Sequence, residues 1–306
     1  MPKKEVFVSI FGLGNVGATI LSMLLSRRDY HFKINIIDPS PHVIGRLTDL
    51  EHANCGNDHE IMVNQYQLVE DCGFVFHTAG GKVPKGAKRI DVLNESVEIT
   101  KEVFSKVKLG KNTYVIVVTN PVEIITNFII KNFPKHNPYQ ILGTGTLLDK
   151  WRYEKNLARK ALVNVSEVKG MVIGEHGQNA IFIDEHSFVS RKPIRKIFSD
   201  KEIEEIKQKT LNEANFIKSY EGASKYGPSM AAIRIMDLIL EPRDILLPVS
   251  IQTCDYYEDL LGIKSVISIP VKISRHGIYP VRDYGLSESN ISSLKQIAAD
   301  INRLIP

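Results

Sequence analysis

Cysteine is scarce in this chain: Cys55, Cys72 and Cys254 are the only three in 306 residues. Their odd number, wide spacing and lack of metal-ligand intervals exclude a disulfide framework and a zinc cluster, and suit reduced thiols in a cytoplasm. Long apolar runs are missing as well. Nowhere do about 18 apolar residues follow one another, which excludes a membrane-crossing helix. The run after Lys3 and Lys4 reaches Gly12 too soon to form the core of a secretory signal. The formal net charge is only +4 and no long basic run occurs, so nucleic acid is not an expected partner. Repeats, linkers and low-complexity tracts are absent too.

What remains is an ordinary globular composition, long enough for one large or two medium domains. Val6 to Phe11 is a β-rich run that ends in Gly12-Leu13-Gly14-Asn15-Val16-Gly17, and a helical pattern follows through Ile20, Met23 and Leu24. Strand, G-x-G-x-x-G, helix is the order that lays a pyrophosphate on a helix N-terminus. Ile34 to Ile37 predicts a second strand, closed by Asp38 about 20 residues beyond the glycines, where a carboxylate accepts ribose hydroxyls and favours NAD over NADP. Pro41–Asn57 reads as a helix, and Phe74-Val75-Phe76 as a strand whose end, Thr78-Ala79-Gly80-Gly81, offers Ala79 and Gly80 as small residues beside a cofactor. His77 reads as a packed or surface histidine.

The segment Gly81–Arg89 is glycine-rich and cationic, which suits a lid that delivers a charge on closing, or simply a solvated loop. A helix over 91–108 and an apolar strand over Tyr114–Val118 lead to Thr119-Asn120-Pro121, at the strand end where such sheets bind ligands. Tyr139–Gly143 completes an alternation of strands and helices, so residues 1–143 are expected to form a doubly wound parallel-sheet (Rossmann) domain. Residues 144–306 would form the second domain. It opens on a helix from Leu147 to about Leu162, with Thr146 as N-cap and Asp149 and Arg152 on one face. Further on, Ile173-Gly174-Glu175-His176-Gly177 sets one imidazole between glycines after an apolar run. A lone histidine is more often a surface or satisfied core residue than a catalyst.

Taken together, Asp38, Arg89, Asn120-Pro121, Asp149 with Arg152, and Gly174-Glu175-His176-Gly177, in this order behind the glycines, resemble the L-lactate/malate dehydrogenase family. The resemblance runs to the C-terminal helix and includes Ser268-Ile269-Pro270-Val271. It implies an α/β fold with an α+β catalytic domain after the NAD-binding one, NAD(H) as cofactor, no metal, and a homo-oligomer, dimer or tetramer. It further implies that His176 exchanges a proton with the substrate oxygen, that Asp149 holds the imidazole, and that Arg152 grips the substrate carboxylate in a two-pronged guanidinium. Arg89 would polarise the carbonyl and Asn120 would orient it. Thr119 would stand with Asn120 at the cofactor.

Val83 occupies the place where malate enzymes of the family carry arginine and lactate enzymes glutamine. With Ala214 and Ser224 as the other, small wall, this implies a 2-oxo acid with a medium or bulky apolar side chain. Gly143–Asp149, and Gly174-Glu175-His176-Gly177 followed by Gln178, look most like the L-2-hydroxyisocaproate dehydrogenases. The rival readings are an L-lactate dehydrogenase acting on pyruvate and a silent dinucleotide-binding protein. Asp149, Arg152, Arg89 and His176 together argue against the second.

Overall fold

The computed structural model describes residues 3–81 and 92–305. Val83 and Arg89, expected to read the substrate side chain and to polarise the carbonyl, lie outside the described residues. The chain divides into two compact units: Met1–Leu142 with Lys225–Leu240, and Gly143–Ser224 with Glu241–Pro306.

Unit 1 is built on the strands β1 (Lys4–Phe11), β2 (Tyr30–Ile37), β3 (Glu60–Val63), β4 (Phe74–His77), β5 (Tyr114–Val117) and β6 (Ile141–Gly143). They lie in the order β3-β2-β1-β4-β5-β6. β1 pairs in parallel with both β2 and β4, so the strand order reverses at β1 and the ends of β1 and β4 flank a topological switch point. Val8, Ile10 and Phe11 of β1 and all of β4 are buried, as strands covered on both faces should be. The intervening helices are α1 (Asn15–Leu25), α2 (Val43–His52), α3 (Leu93–Ser105) and α4 (Val122–Asn132). Helix α2 is shorter at both ends than its apolar period predicts. Pro121 stands at the N-cap of α4.

The helix Tyr226–Leu240 also belongs to unit 1, where a boundary at residue 143 assigns it to the second domain. It packs on α1: Ser229 Oγ donates to the Val16 carbonyl at 3.1 Å, and Arg27, just beyond the end of α1, pairs with Asp237. A chain that leaves a unit and returns has no linker composition to mark the crossing.

Unit 2 contains α5 (Leu147–Ala161), then β7 (Val168–Lys169), β8 (Val172–Gly174) and β9 (Ala180–Phe182), followed by β10 (Phe188–Val189), β11 (Lys192–Pro193) and α6 (Asp200–Glu221). With the Tyr226–Leu240 helix counted as α7, the rest are β12 (Ile245–Gln252), α8 (Asp255–Leu261), β13 (Val266–Ser274), β14 (Gly277–Pro280) and α9 (Glu288–Arg303). β12, β13, β8 and β9 are neighbours in that order and pair antiparallel, with β14 on β13. β12 has no counterpart in the sequence reading. Its Pro248 lies opposite Pro270 of β13, and a proline inside an apolar run argues against a central strand when only the sequence is in hand. Between α5 and α6 lies a core of Tyr153, Leu157, Val172, Ile203 and Ile206. Ser199 starts α6 in a capping box with Glu202.

Candidate active site

In unit 1 the glycines of the first turn have separate jobs. Gly12 has φ +84°, and a Cβ there would stand 2.7 Å from the Cα of Ala79 at the end of β4. A Cβ on Gly17 would stand 2.0 Å from the Gly12 carbonyl oxygen, so the first turn of α1 closes on the turn only without a side chain. At Gly14 the same construction meets nothing within 4 Å. That opening lies just ahead of the N-terminus of α1, beside the exposed Asn15, and is room for a diphosphate to reach the backbone. Thr78 Oγ1 ties the two strand ends together by donating to the Gly12 carbonyl at 2.7 Å.

Asp38 is half-buried at the end of β2. Its Oδ2 accepts from the Leu13 amide at 2.7 Å and its Oδ1 from the Ser40 amide at 2.9 Å. The carboxylate therefore braces the glycine turn, a role beyond the expected one toward a ribose. Arg46 adds a bond to the Leu13 carbonyl at 2.6 Å. Gly80 has a packing reason for its size, since a Cβ would meet Thr119 Cγ2 at 2.6 Å. Thr119 in turn donates to the Ala79 carbonyl at 2.8 Å. Asn120 follows, exposed, before a cis bond to Pro121. His77 is fully buried. Its Nε2 lies 2.9 Å from Thr100 Oγ1, its Nδ1 has no partner among the described residues, and burial lowers its pKa to about 3.

In unit 2 the predicted pair on α5 meets the predicted histidine. Asp149 and Arg152 are both buried, at 3% and 8% exposure, so theirs is no surface ion pair. His176 Nδ1 donates to Asp149 Oδ2 at 2.6 Å, and Arg152 Nη1 donates to Asp149 Oδ1 at 3.3 Å. One carboxylate thus spans an imidazole and a guanidinium with its two oxygens. Because a carboxylate only accepts, the Nδ1 position carries the hydrogen and the ring is held by it.

The backbone holds these groups through Thr146. The residue does stand at the N-cap of α5, but its side chain makes no cap bond. Instead Thr146 Oγ1 donates to the Val172 carbonyl of β8 at 2.6 Å, and Thr146 N donates to Ser268 Oγ at 2.9 Å. Ser268 lies opposite Gly174 in the β13–β8 ladder. The start of α5 is therefore joined to the strand that ends two residues before His176.

Sequence reasoning missed Glu213 on α6. Its Oε2 stands 4.0 Å from Arg152 Nε, and its Oε1 accepts from Asn156 Nδ2 at 3.0 Å. Ala214 is the next residue along and is half-buried, as is Ser224 beyond the end of α6. No metal was expected. Among the described residues Glu5, His31 and Glu60 do bring ligand atoms within 4.8 Å of one another, on the outer part of unit 1, with the Lys33 ammonium 3.1 Å from Glu5.

Residues 6–143 match the family described as lactate/malate dehydrogenase, NAD binding domain, and residues 146–305 match lactate/malate dehydrogenase, alpha/beta C-terminal domain. The chain is 27% identical to a malate dehydrogenase of Methanosarcina mazei over 306 residues, covering 97% of each chain. It is 28% identical to an L-lactate dehydrogenase of Staphylococcus saprophyticus over 317 residues, again 97% of each. Among solved structures, the malate dehydrogenase from Aeropyrum pernix aligns at a TM-score of 0.88 and 26% identity, covering 97% of both chains.

Proposed function

Since the chain belongs to the lactate/malate dehydrogenase family, and so is an NAD-dependent 2-hydroxy acid dehydrogenase, we propose that it reduces 2-oxo monocarboxylic acids with apolar side chains to L-2-hydroxy acids. The preferred substrate in this reading is of the 2-oxoisocaproate kind. The observation that carries the reaction is the Asp149 carboxylate, bonded at once to His176 and Arg152. What favours the apolar acid is Val83 where malate enzymes carry arginine, together with the small residues Ala214 and Ser224.

NADH, when bound, would supply the hydride to the carbonyl carbon of the substrate. His176, held at Nδ1, would give a proton from Nε2 to the oxygen of the substrate carbonyl and recover it in the reverse direction. Asp149 keeps the ring in that tautomer and stabilises the imidazolium. Arg152 takes the substrate carboxylate. Arg89 stabilises the charge that develops on the oxygen, and Asn120 orients it. Gly12, Gly14, Asn15, Val16, Gly17 and Asp38, with Ala79, Gly80 and Thr119, form the cofactor's surroundings. The family resemblance extends this reading to a homodimer or homotetramer acting in the cytoplasm.

The relatives carry both lactate and malate names, so the substrate is a matter for assay. In a panel of 2-oxo acids followed by NADH oxidation, kcat/KM should rank 2-oxoisocaproate above pyruvate and pyruvate above oxaloacetate. Pyruvate in first place would make the chain an L-lactate dehydrogenase. Oxaloacetate in first place would remove Val83 from its assigned role.

A further inference from the structure

One carboxylate beside the Arg152 guanidinium has no part in the scheme above. Glu213 lies on α6, and its side chain is about one-fifth exposed. At 4.0 Å, Oε2 is close enough to Arg152 Nε for an ion pair and too far for a hydrogen bond. Glu213 therefore acts on Arg152 through its field and uses up none of its donors.

Its position is held from behind. Asn156 is buried, and its Nδ2 donates both to Glu213 Oε1 at 3.0 Å and to Thr210 Oγ1 at 3.1 Å. Thr210 spends its own hydrogen on the Ile206 carbonyl at 2.8 Å, so its oxygen must accept and the amide must point its NH2 toward Glu213. Asn156 Oδ1 has no partner among the described residues. A buried amide that leaves its oxygen unsatisfied while donating twice has its orientation set by these two acceptors.

The charges of these described groups bear on what can bind. Asp149 and Glu213 place two carboxylates against one guanidinium, and a protonated His176 brings the sum to zero. A singly charged 2-oxo acid on Arg152 leaves one negative charge in excess. A dicarboxylate leaves one more than that, a difference that any charge common to both complexes, Arg89 included, leaves unchanged. We propose that Glu213 is a specificity-determining residue whose carboxylate, held beside Arg152 by Asn156, makes the pocket reject dicarboxylic substrates in favour of singly charged 2-oxo acids. This rests on the reading of Arg152 as the substrate-carboxylate grip.

Oxaloacetate and 2-oxoisocaproate are a suitable pair of probes, because two carboxylate oxygens in one stand where two methyl groups stand in the other. Oxamate and oxalate form a second, unreactive pair of equal size that differs by one charge. Steady-state kinetics with the first pair, and calorimetric titration of the second onto the NADH-loaded protein, are compared for the wild type, Glu213→Gln and Glu213→Asp. Glu213→Gln keeps an acceptor for Asn156 and removes the charge. It should raise the oxaloacetate to 2-oxoisocaproate ratio of kcat/KM about tenfold, mainly through the KM of oxaloacetate, and tighten oxalate more than oxamate. Glu213→Asp should return both ratios toward the wild type, which a purely structural role would not require.

Should Glu213→Gln fail to fold, Asn156→Ala, which lets the carboxylate withdraw, should move both ratios the same way by a smaller amount. Wild-type turnover of 2-oxo acids with both ratios unmoved by the variants overturns the role of Glu213 and leaves the reaction standing. No turnover of any 2-oxo acid, with oxalate still gaining on oxamate in Glu213→Gln, overturns the reaction and supports Glu213. Neither turnover nor binding of either anion overturns both.

Discussion

In unit 1 the groups that surround the expected cofactor come largely from one contiguous turn and act through backbone and open space. In unit 2 the groups assigned to the substrate come from separate stretches, around Asp149, His176 and Glu213 and at Ser224, and act through side chains. A turn of that kind is sensitive to a single added carbon and has little charge to lose. A side-chain network of that kind tolerates changes of shape better than changes of charge, because each carboxylate serves more than one partner. The two regions should therefore fail differently when altered.

The largest effect is expected in unit 2. His176→Gln keeps an amide near Asp149 but removes the transferable proton, and should lower kcat by about 10²–10⁴-fold. NADH affinity, read by fluorescence titration, should stay within about twofold of the wild type, since uniform loss of binding is not what a proton-transfer residue controls. A parallel loss of NADH binding would erase the division between the regions. Next comes Gly12→Ala in unit 1, where a left-handed φ and the approach to Ala79 should together cost about 2–4 kcal/mol. A lowered melting temperature and weakened NADH binding, with kcat at saturating NADH little changed, is the expected pattern. A normal NADH affinity would mean that the turn relaxes and that its glycine spacing is not what admits the cofactor.

The smallest effect concerns pH. His77 titrates near 3 in the folded chain against 6.5 as its ordinary value, so below pH 6.5 the unfolded state binds the extra proton. Its stabilising contribution is complete above pH 6.5 and declines as pH falls toward 3. At pH 5 the loss should reach about 2 kcal/mol. Urea unfolding at pH 7 and pH 5 measures it, and His77→Leu should remove this part of the difference. An unchanged pH dependence in that variant would show that His77 does not remain buried and neutral in solution.

The same contrast explains what could be read without the structure. The glycine turn, the strand before it and Asp38 are local, and their period and spacing carry their meaning. Flanking glycines singled out His176 and helical spacing put Asp149 and Arg152 on one face, but their expected roles came only with the family resemblance. Glu213 was not visible. Helix α6 is full of acids, among them Glu202, Glu204 and Glu205, and only the packing of α6 on α5 brings one of them to Arg152. β12 was hidden by Pro248, and the return of α7 to unit 1 by the lack of any change in composition at Lys225. The expected cap role of Thr146 was displaced because its hydroxyl has a better acceptor in β8.

The two oxygens of Asp149 have a consequence for how such a protein can change over time. One accepts from His176, the group proposed to move the proton, and the other from Arg152, the group proposed to hold the acid. Effects of substitutions on the two will not add, since each passes through a shared carboxylate. A lineage that needs a new substrate therefore has little freedom at this carboxylate, where any gain in selectivity is charged against turnover. Glu213 stands 4.0 Å from the same guanidinium, and under the proposed role it would leave selection a place to act apart from the shared carboxylate.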